Sequence, residues 1–199
     1  MFTLNVPNLL TLLRILLVPV LVVALLDATH EGDLLAAIVF AAASITDAID
    51  GWLARRQQAI TTFGKLMDPV ADKLLIVAAL VVLVSLNRMP AWIAMVIIAR
   101  EFAVTVARMA ATGQGVVIPA NWWGKAKTIV QVAAIFFAIA YDPTPAAVDA
   151  LLYVAVAATV ISGIDYFFGM RRLLREAEAR REAQRAGADP ISSHSRIDT

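Results

Sequence analysis

Six mostly apolar stretches dominate the chain: Leu9 to Leu26, Leu34 to Leu53, Val70 to Leu86, Ala91 to Ala111, Ala126 to Ala140 and Ala146 to Phe168. A helix crossing a hydrocarbon core of about 30 Å needs on the order of 20 such residues. With 60% of the residues hydrophobic and 17% charged, there are too few charges to cover a soluble globule. The pattern predicts an all-α integral membrane protein with six transmembrane helices. The links between the stretches are polar or turn-forming and short, such as Asn87-Arg88-Met89-Pro90 and Asp142-Pro143-Thr144-Pro145, so neighbouring helices should run antiparallel. Met1 to Pro7 holds no Lys or Arg, and no small-residue cleavage site precedes the acidic link at Asp27 to Asp33, so the first stretch reads as a retained span.

The 17 Lys and Arg nearly cancel the 16 Asp and Glu, but their positions do not cancel. With the N-terminus cytoplasmic, the three outward links carry one basic residue, Arg88, against Asp27, Glu31, Asp33, Asp142 and Asp149. The remaining basic residues fall at or beyond the opposite helix ends. Positive-inside bias therefore predicts cytoplasmic termini and a multi-pass protein of the inner (plasma) membrane. Residues 1–170 form the predicted six-helix catalytic domain, and 171–199 a charged cytoplasmic helix and tail. Trp52, Trp122, Trp123 and Tyr166 on one side, with Trp92 and Tyr141 on the other, suit interfacial aromatic belts. The absence of cysteine excludes disulfides, thiolate catalysis and Cys-ligated zinc. His30 in an outer link and His194 in the tail are too remote for a histidine mechanism.

Four aspartates interrupt this apolar sequence. Asp47 and Asp50 are spaced i,i+3, and Asp68 and Asp72 i,i+4, so each pair shares one helical face. An unpaired carboxylate at such a depth costs at least about 2.5–3.5 kcal/mol, so the set needs a compensating partner. Four carboxylates suit hard cations, Mg²⁺ or Mn²⁺, and two such ions would balance their charge. Gly51, Ala54 and Gly64 leave room for a ligand near the backbone, and Arg55, one turn after Gly51, offers a fixed cation to phosphate oxygens. The combination points to phosphoryl chemistry. Ion-paired structural acids, or a cation or proton pathway, are the alternatives; against a transporter, the acids cluster at one membrane face and the halves show no repeat.

The segment from Asp47 to Asp72 reads D-x2-D-G-x2-A-R-x8-G-x3-D-x3-D, with all eight fixed positions present, and resembles the signature of the CDP-alcohol phosphotransferases. Six spans with cytoplasmic termini also match that family's architecture. Asn8 to Arg14, Phe63 to Lys73, Ala99 to Phe102 and Gly124 to Thr128 resemble the branch that makes phosphatidylglycerophosphate. The resemblance implies Asp47, Asp50 and Asp68 as metal ligands, with Asp72 also near the metals and acting as general base. It implies a CDP site lined by Gly51, Ala54, Arg55 and Gly64, with Asn8 and Thr11 at the nucleotide diphosphate, and a homodimer among membrane lipids with no nucleic-acid partner. The expected reaction is in-line displacement at the β-phosphorus of CDP-diacylglycerol by the 1-hydroxyl of sn-glycerol 3-phosphate.

A phosphorylated acceptor needs cations apart from Arg55. Arg100 and Arg108, about 80° apart around the fourth span, and Lys125 at the start of the fifth are the candidates. A salt bridge to Glu101 is the plain alternative for Arg100. Lys127 and Lys73 are read as snorkelling towards headgroups. Phosphatidylglycerol or inositol phosphate as acceptor stays open, whereas the basic set disfavours serine. Arg14 could reach the diphosphate or pair with an acid, and Asp165 could be structural.

Overall fold

In the computed structural model of the chain, the backbone is described at residues 6–57, 62–113 and 122–187, and side chains at 9–46, 73–113, 124, 126–176 and 178–179. All the regular structure among these residues is helical: α1 (Val6–Leu26), α2 (His30–Gln57), α3 (Thr62–Ser85), α4 (Ala91–Gly113), α5 (Trp122–Ala140) and α6 (Ala146–Gly187). Each contains one of the six apolar stretches almost whole, and several extend past it into polar sequence. α6 is longest at 42 residues and passes residue 171 unbroken. Leu9–Leu26 and Ala146–Glu176 are long and apolar enough to cross a membrane, while Lys73–Ser85 and Ala126–Ala140 are shorter apolar segments. α4 carries Arg100, Glu101 and Arg108 within its apolar run.

Packing follows the chain only in part. α1 lies against α2 and α3, α2 against α5, α5 against α6, α6 against α4, and α4 against α3, which also meets α5. The helices therefore form a ring in the order α1, α2, α5, α6, α4, α3. Phe40, Leu21, Leu80, Ile97, Ile135 and Leu152 fill its interior, and the fully buried Ala36, Ala79, Ala134 and Ala155 let the helix backbones approach closely. Outward-facing residues are also large and apolar, among them Leu16, Val23, Met95, Val106, Ile129 and Ile161. An apolar exterior this extensive suits hydrocarbon and not water.

Local chemistry sets the helix ends. Thr29 caps α2: its Oγ1 accepts a hydrogen bond from the Gly32 N–H at 3.0 Å and donates one to Asp27 Oδ2 at 2.7 Å. Gly32 is required by a close approach, because a Cβ there would stand 2.5 Å from the Ala24 carbonyl oxygen. α3 ends in a Schellman motif, with Asn87 in the left-handed region at φ 59°. The Asn87 N–H bonds the Val84 carbonyl at 3.1 Å and the Arg88 N–H the Leu83 carbonyl at 2.9 Å.

That turn delivers Arg88 into a buried cluster. Its guanidinium donates to Asp33 at 2.7 and 2.9 Å, to Asp142 Oδ2 at 2.8 Å and to the Ile139 carbonyl at 3.2 Å. Burial alone would lower the Arg88 pKa, but hydrogen bonds and the charges of Asp33 and Asp142 outweigh it and hold the group above its ordinary value. The one basic residue of the predicted outer links thus gathers the acids of two others. The cluster also fixes helix direction: the start of α2, the end of α3 and the end of α5 meet here, so the end of α2 and the starts of α3 and α5 lie at the other end of the bundle.

Candidate active site

Asp47 and Asp50 fall late in α2, and Asp68 and Asp72 early in α3. The Arg88 cluster holds the opposite ends of these two helices, and both pack against α1. The backbone therefore carries both carboxylate pairs to one end of the bundle. Their side chains, with those of Asn8, Gly51, Ala54, Arg55, Gly64 and Lys125, lie outside the described residues. Among the described residues no group of three or more Asp, Glu, His or Cys could hold a metal. By its chemistry the aspartate set fits hard divalent cations: four carboxylates at i,i+3 and i,i+4 spacing on two helices that share a packing partner. On α1, Thr11 and Arg14 are both buried, and so face the bundle and not its surroundings.

The structure connects α4, α5 and α6 through charge. Arg100 donates to Glu101 Oε1 at 3.3 Å and to Ser162 Oγ at 2.8 Å. Gly163 makes that crossing possible: its missing side chain leaves space for the arginine stem, and a Cβ there would sit 3.3 Å from Arg100 Cγ. Lys127 donates to the same Glu101 oxygen and is only 4% exposed. This corrects the expectation that Lys127 snorkels towards headgroups. An ammonium buried beside a carboxylate gains a partner that a headgroup position would not supply. Arg100 and Lys127 together carry two positive charges against the one of Glu101, so the trio keeps a surplus positive charge inside the bundle.

Arg108 is exposed and lies 5.6 Å from the centre of the Tyr166 ring, within cation–π range. Both arginines of α4 thus reach α6, at Ser162 and at Tyr166, which are one turn apart. Among the described residues, Arg100 Nε, Gln131 Oε1, Thr159 Oγ1 and the Tyr166 hydroxyl are buried without a hydrogen-bond partner. Thr159, Ser162 and Tyr166 repeat at i, i+3 and i+7, a polar stripe along an apolar helix. Sequence reading overlooked this stripe and treated Glu101 only as a possible partner for Arg100. The stripe was a legible signal, because polar groups on one face of an apolar helix need a partner.

Comparison with known proteins identifies the family. Residues 4–161 match the sequence profile of the CDP-alcohol phosphatidyltransferases. A CDP-diacylglycerol–glycerol-3-phosphate 3-phosphatidyltransferase of Bacillus subtilis is 41% identical, with 82% of this chain and 93% of that protein covered. A probable phosphatidylglycerophosphate synthase of Mycobacterium tuberculosis is 43% identical over 86% of this chain and 83% of its own. A Haemophilus influenzae protein with the same name as the Bacillus one is 37% identical, covering 81% and 91%.

Proposed function

Because this chain belongs to the CDP-alcohol phosphatidyltransferase family, a family of membrane enzymes, we propose that it transfers the phosphatidyl group of CDP-diacylglycerol to sn-glycerol 3-phosphate, giving phosphatidylglycerophosphate and CMP. The observation that carries this reading is the agreement of relatives bearing that activity in their names, at 37–43% identity over at least 81% of this chain. The complete aspartate signature between Asp47 and Asp72 supports it. The ion-transport alternative falls away with family membership.

In the proposed mechanism Asp47, Asp50, Asp68 and Asp72 hold a pair of divalent cations, Mg²⁺ or Mn²⁺. When bound, these supply charge neutralisation at the donor diphosphate and at the departing CMP. Asp72 accepts the proton of the acceptor's 1-hydroxyl as that oxygen attacks the β-phosphorus. Asn8, Thr11, Gly51, Ala54, Arg55 and Gly64 line the CDP site, with Arg55 as its fixed cation. Arg100, Arg108 and Lys125 receive the acceptor phosphate, and the surplus positive charge around Glu101 favours an anion there. The membrane reading has six spans with both termini cytoplasmic, the active site at the cytoplasmic face of the inner membrane, and a homodimer as the assembly. At that face the lipid tails stay in the bilayer while nucleotide and acceptor exchange with water.

CMP release by the purified protein tests the proposal. It requires turnover that depends on CDP-diacylglycerol, glycerol 3-phosphate and Mg²⁺ or Mn²⁺ together. Absence of turnover with that pair would refute it, and faster release with phosphatidylglycerol or inositol phosphate would reassign the acceptor.

A further inference from the structure

α4 and α6 leave between them a trough that Arg100 borders and whose apolar walls have no part in the proposed reaction. Its volume is about 560 Å³, and its walls are apolar: Val96, Ala99 and Ala103 from α4, and Val160, Ile164 and Phe167 from α6. Gly163 lies on the α6 side, where it contributes no side chain. The trough ends at Phe168 and Arg171, and both residues also line a neighbouring cavity of about 320 Å³ with Arg172, Arg175 and Glu176. The apolar trough thus adjoins an arginine-lined cavity, its mouth, at Phe168 and Arg171. Within that mouth Glu176 accepts from Arg172 Nε at 3.0 Å, which leaves the charges of Arg171 and Arg175 in excess.

Dimensions and charge identify the occupant. Val160 and Arg171 are separated by about 16 Å along α6 at a rise of about 1.5 Å per residue. That equals about half of a ~30 Å hydrocarbon core, the depth of a single leaflet. A molecule with an apolar tail of leaflet length and a negative charge at its end is an anionic phospholipid. Arg100 borders the trough but is assigned to the acceptor phosphate, so the lipid's anion belongs at the mouth, on Arg171 and Arg175. The position also separates this site from the donor's. The signature aspartates ride on α2 and α3, whereas the trough is lined only by α4 and α6, neither of which carries a signature residue.

We propose that this trough is a binding site for an anionic phospholipid of the surrounding leaflet, distinct from the CDP-lipid donor, with one acyl chain along Val96, Ala103, Val160 and Ile164 and its phosphodiester on Arg171 and Arg175. The inference rests on the membrane reading of the chain and not on the identity of the acceptor.

Native mass spectrometry of the full chain, exchanged into micelles with equal phosphatidylglycerol and phosphatidylcholine, tests it. The wild-type protein retains phosphatidylglycerol about thirtyfold over phosphatidylcholine, the scale expected for two basic residues at an anionic headgroup. Arg171→Gln with Arg175→Gln abolishes the preference, and Ala103→Phe, which fills the trough, removes the bound lipid. Equal retention of the two lipids by the wild type, or a preference unchanged in the double variant, overturns the proposal. So does Ala103→Phe altering the mass of the assembly with lipid retention unchanged, because the trough would then be a contact between copies. If Ala103→Phe does not fold, the exposed arginine pair still decides the matter. CMP release from the same samples shows separately whether the transferase reading holds.

Discussion

Arg88 grips both carboxylate oxygens of Asp33, 55 residues away in sequence, at 2.7 and 2.9 Å, and both side chains are buried. Asp142 completes the cluster from a half-exposed position. A buried ion pair adds little stability over a well-packed apolar pair, but breaking it on one side strands a buried charge at a cost of about 3–5 kcal/mol. Arg88→Met should therefore destabilise the protein by about that amount, and Arg88→Met with Asp33→Leu should recover most of the loss. Denaturant unfolding in detergent measures both. A single-variant loss below about 1 kcal/mol would show that Asp33 is solvated after all.

Arg100 tests the acceptor site. Arg100→Gln removes the surplus charge of the trio, leaving Lys127 and Glu101 to neutralise each other. The expected result is an acceptor KM raised about tenfold to a hundredfold, the range for a lost charge-assisted hydrogen bond, with donor KM nearly unchanged. Arg100→Lys should not restore it, because an ammonium cannot bond Glu101 and Ser162 in the planar, forked geometry of a guanidinium. Steady-state kinetics with each substrate varied in turn would expose a purely structural arginine, which would lower kcat without separating the two KM values.

Asp72 and the metals form a second catalytic test. Asp72→Asn should lower kcat by about 10²–10⁴-fold, the usual contribution of a positioned base, while CDP-lipid binding is largely kept. Chelation should abolish CMP release in the wild type, and Mg²⁺ or Mn²⁺ should restore it. Turnover that survives complete chelation would contradict the proposed mechanism.

Tyr166 separates ring from hydroxyl. Its buried hydroxyl has no hydrogen-bond partner among the described residues, while its ring faces Arg108. Tyr166→Phe should leave stability unchanged or slightly raised, because an unmade buried hydrogen bond is removed. Tyr166→Leu should lose about 0.5–1 kcal/mol of cation–π attraction and free Arg108 to move. Thermal melts of the two variants compare them directly, and equal losses would deny the ring any special part.

The six helices were legible because long apolar runs divided by short polar links are a local signal, and their boundaries shifted mainly where helices continue into polar sequence. Arg88 was legible as the one basic residue of three otherwise acidic links but not as a clasp, because pairing with Asp33 depends on which helix ends the ring brings together. Lys127 was misread for a related reason. Position near a helix start suggests an interfacial lysine, and only the packing of α4 on α6 and α5 on α6 puts Glu101 beside it. The aspartate signature was the most legible feature of all, since its spacing is written in consecutive turns of two helices.

α6 has one more consequence. Its 42 residues form an unbroken rod of about 63 Å, roughly twice the thickness of a hydrocarbon core. A continuous helix transmits rotation as well as length. Deleting one residue between Phe168 and Gly187 would turn everything beyond it by about 100° relative to the bundle and draw it in by about 1.5 Å. The direction in which its far end faces is therefore set where the helix packs against α4 and α5.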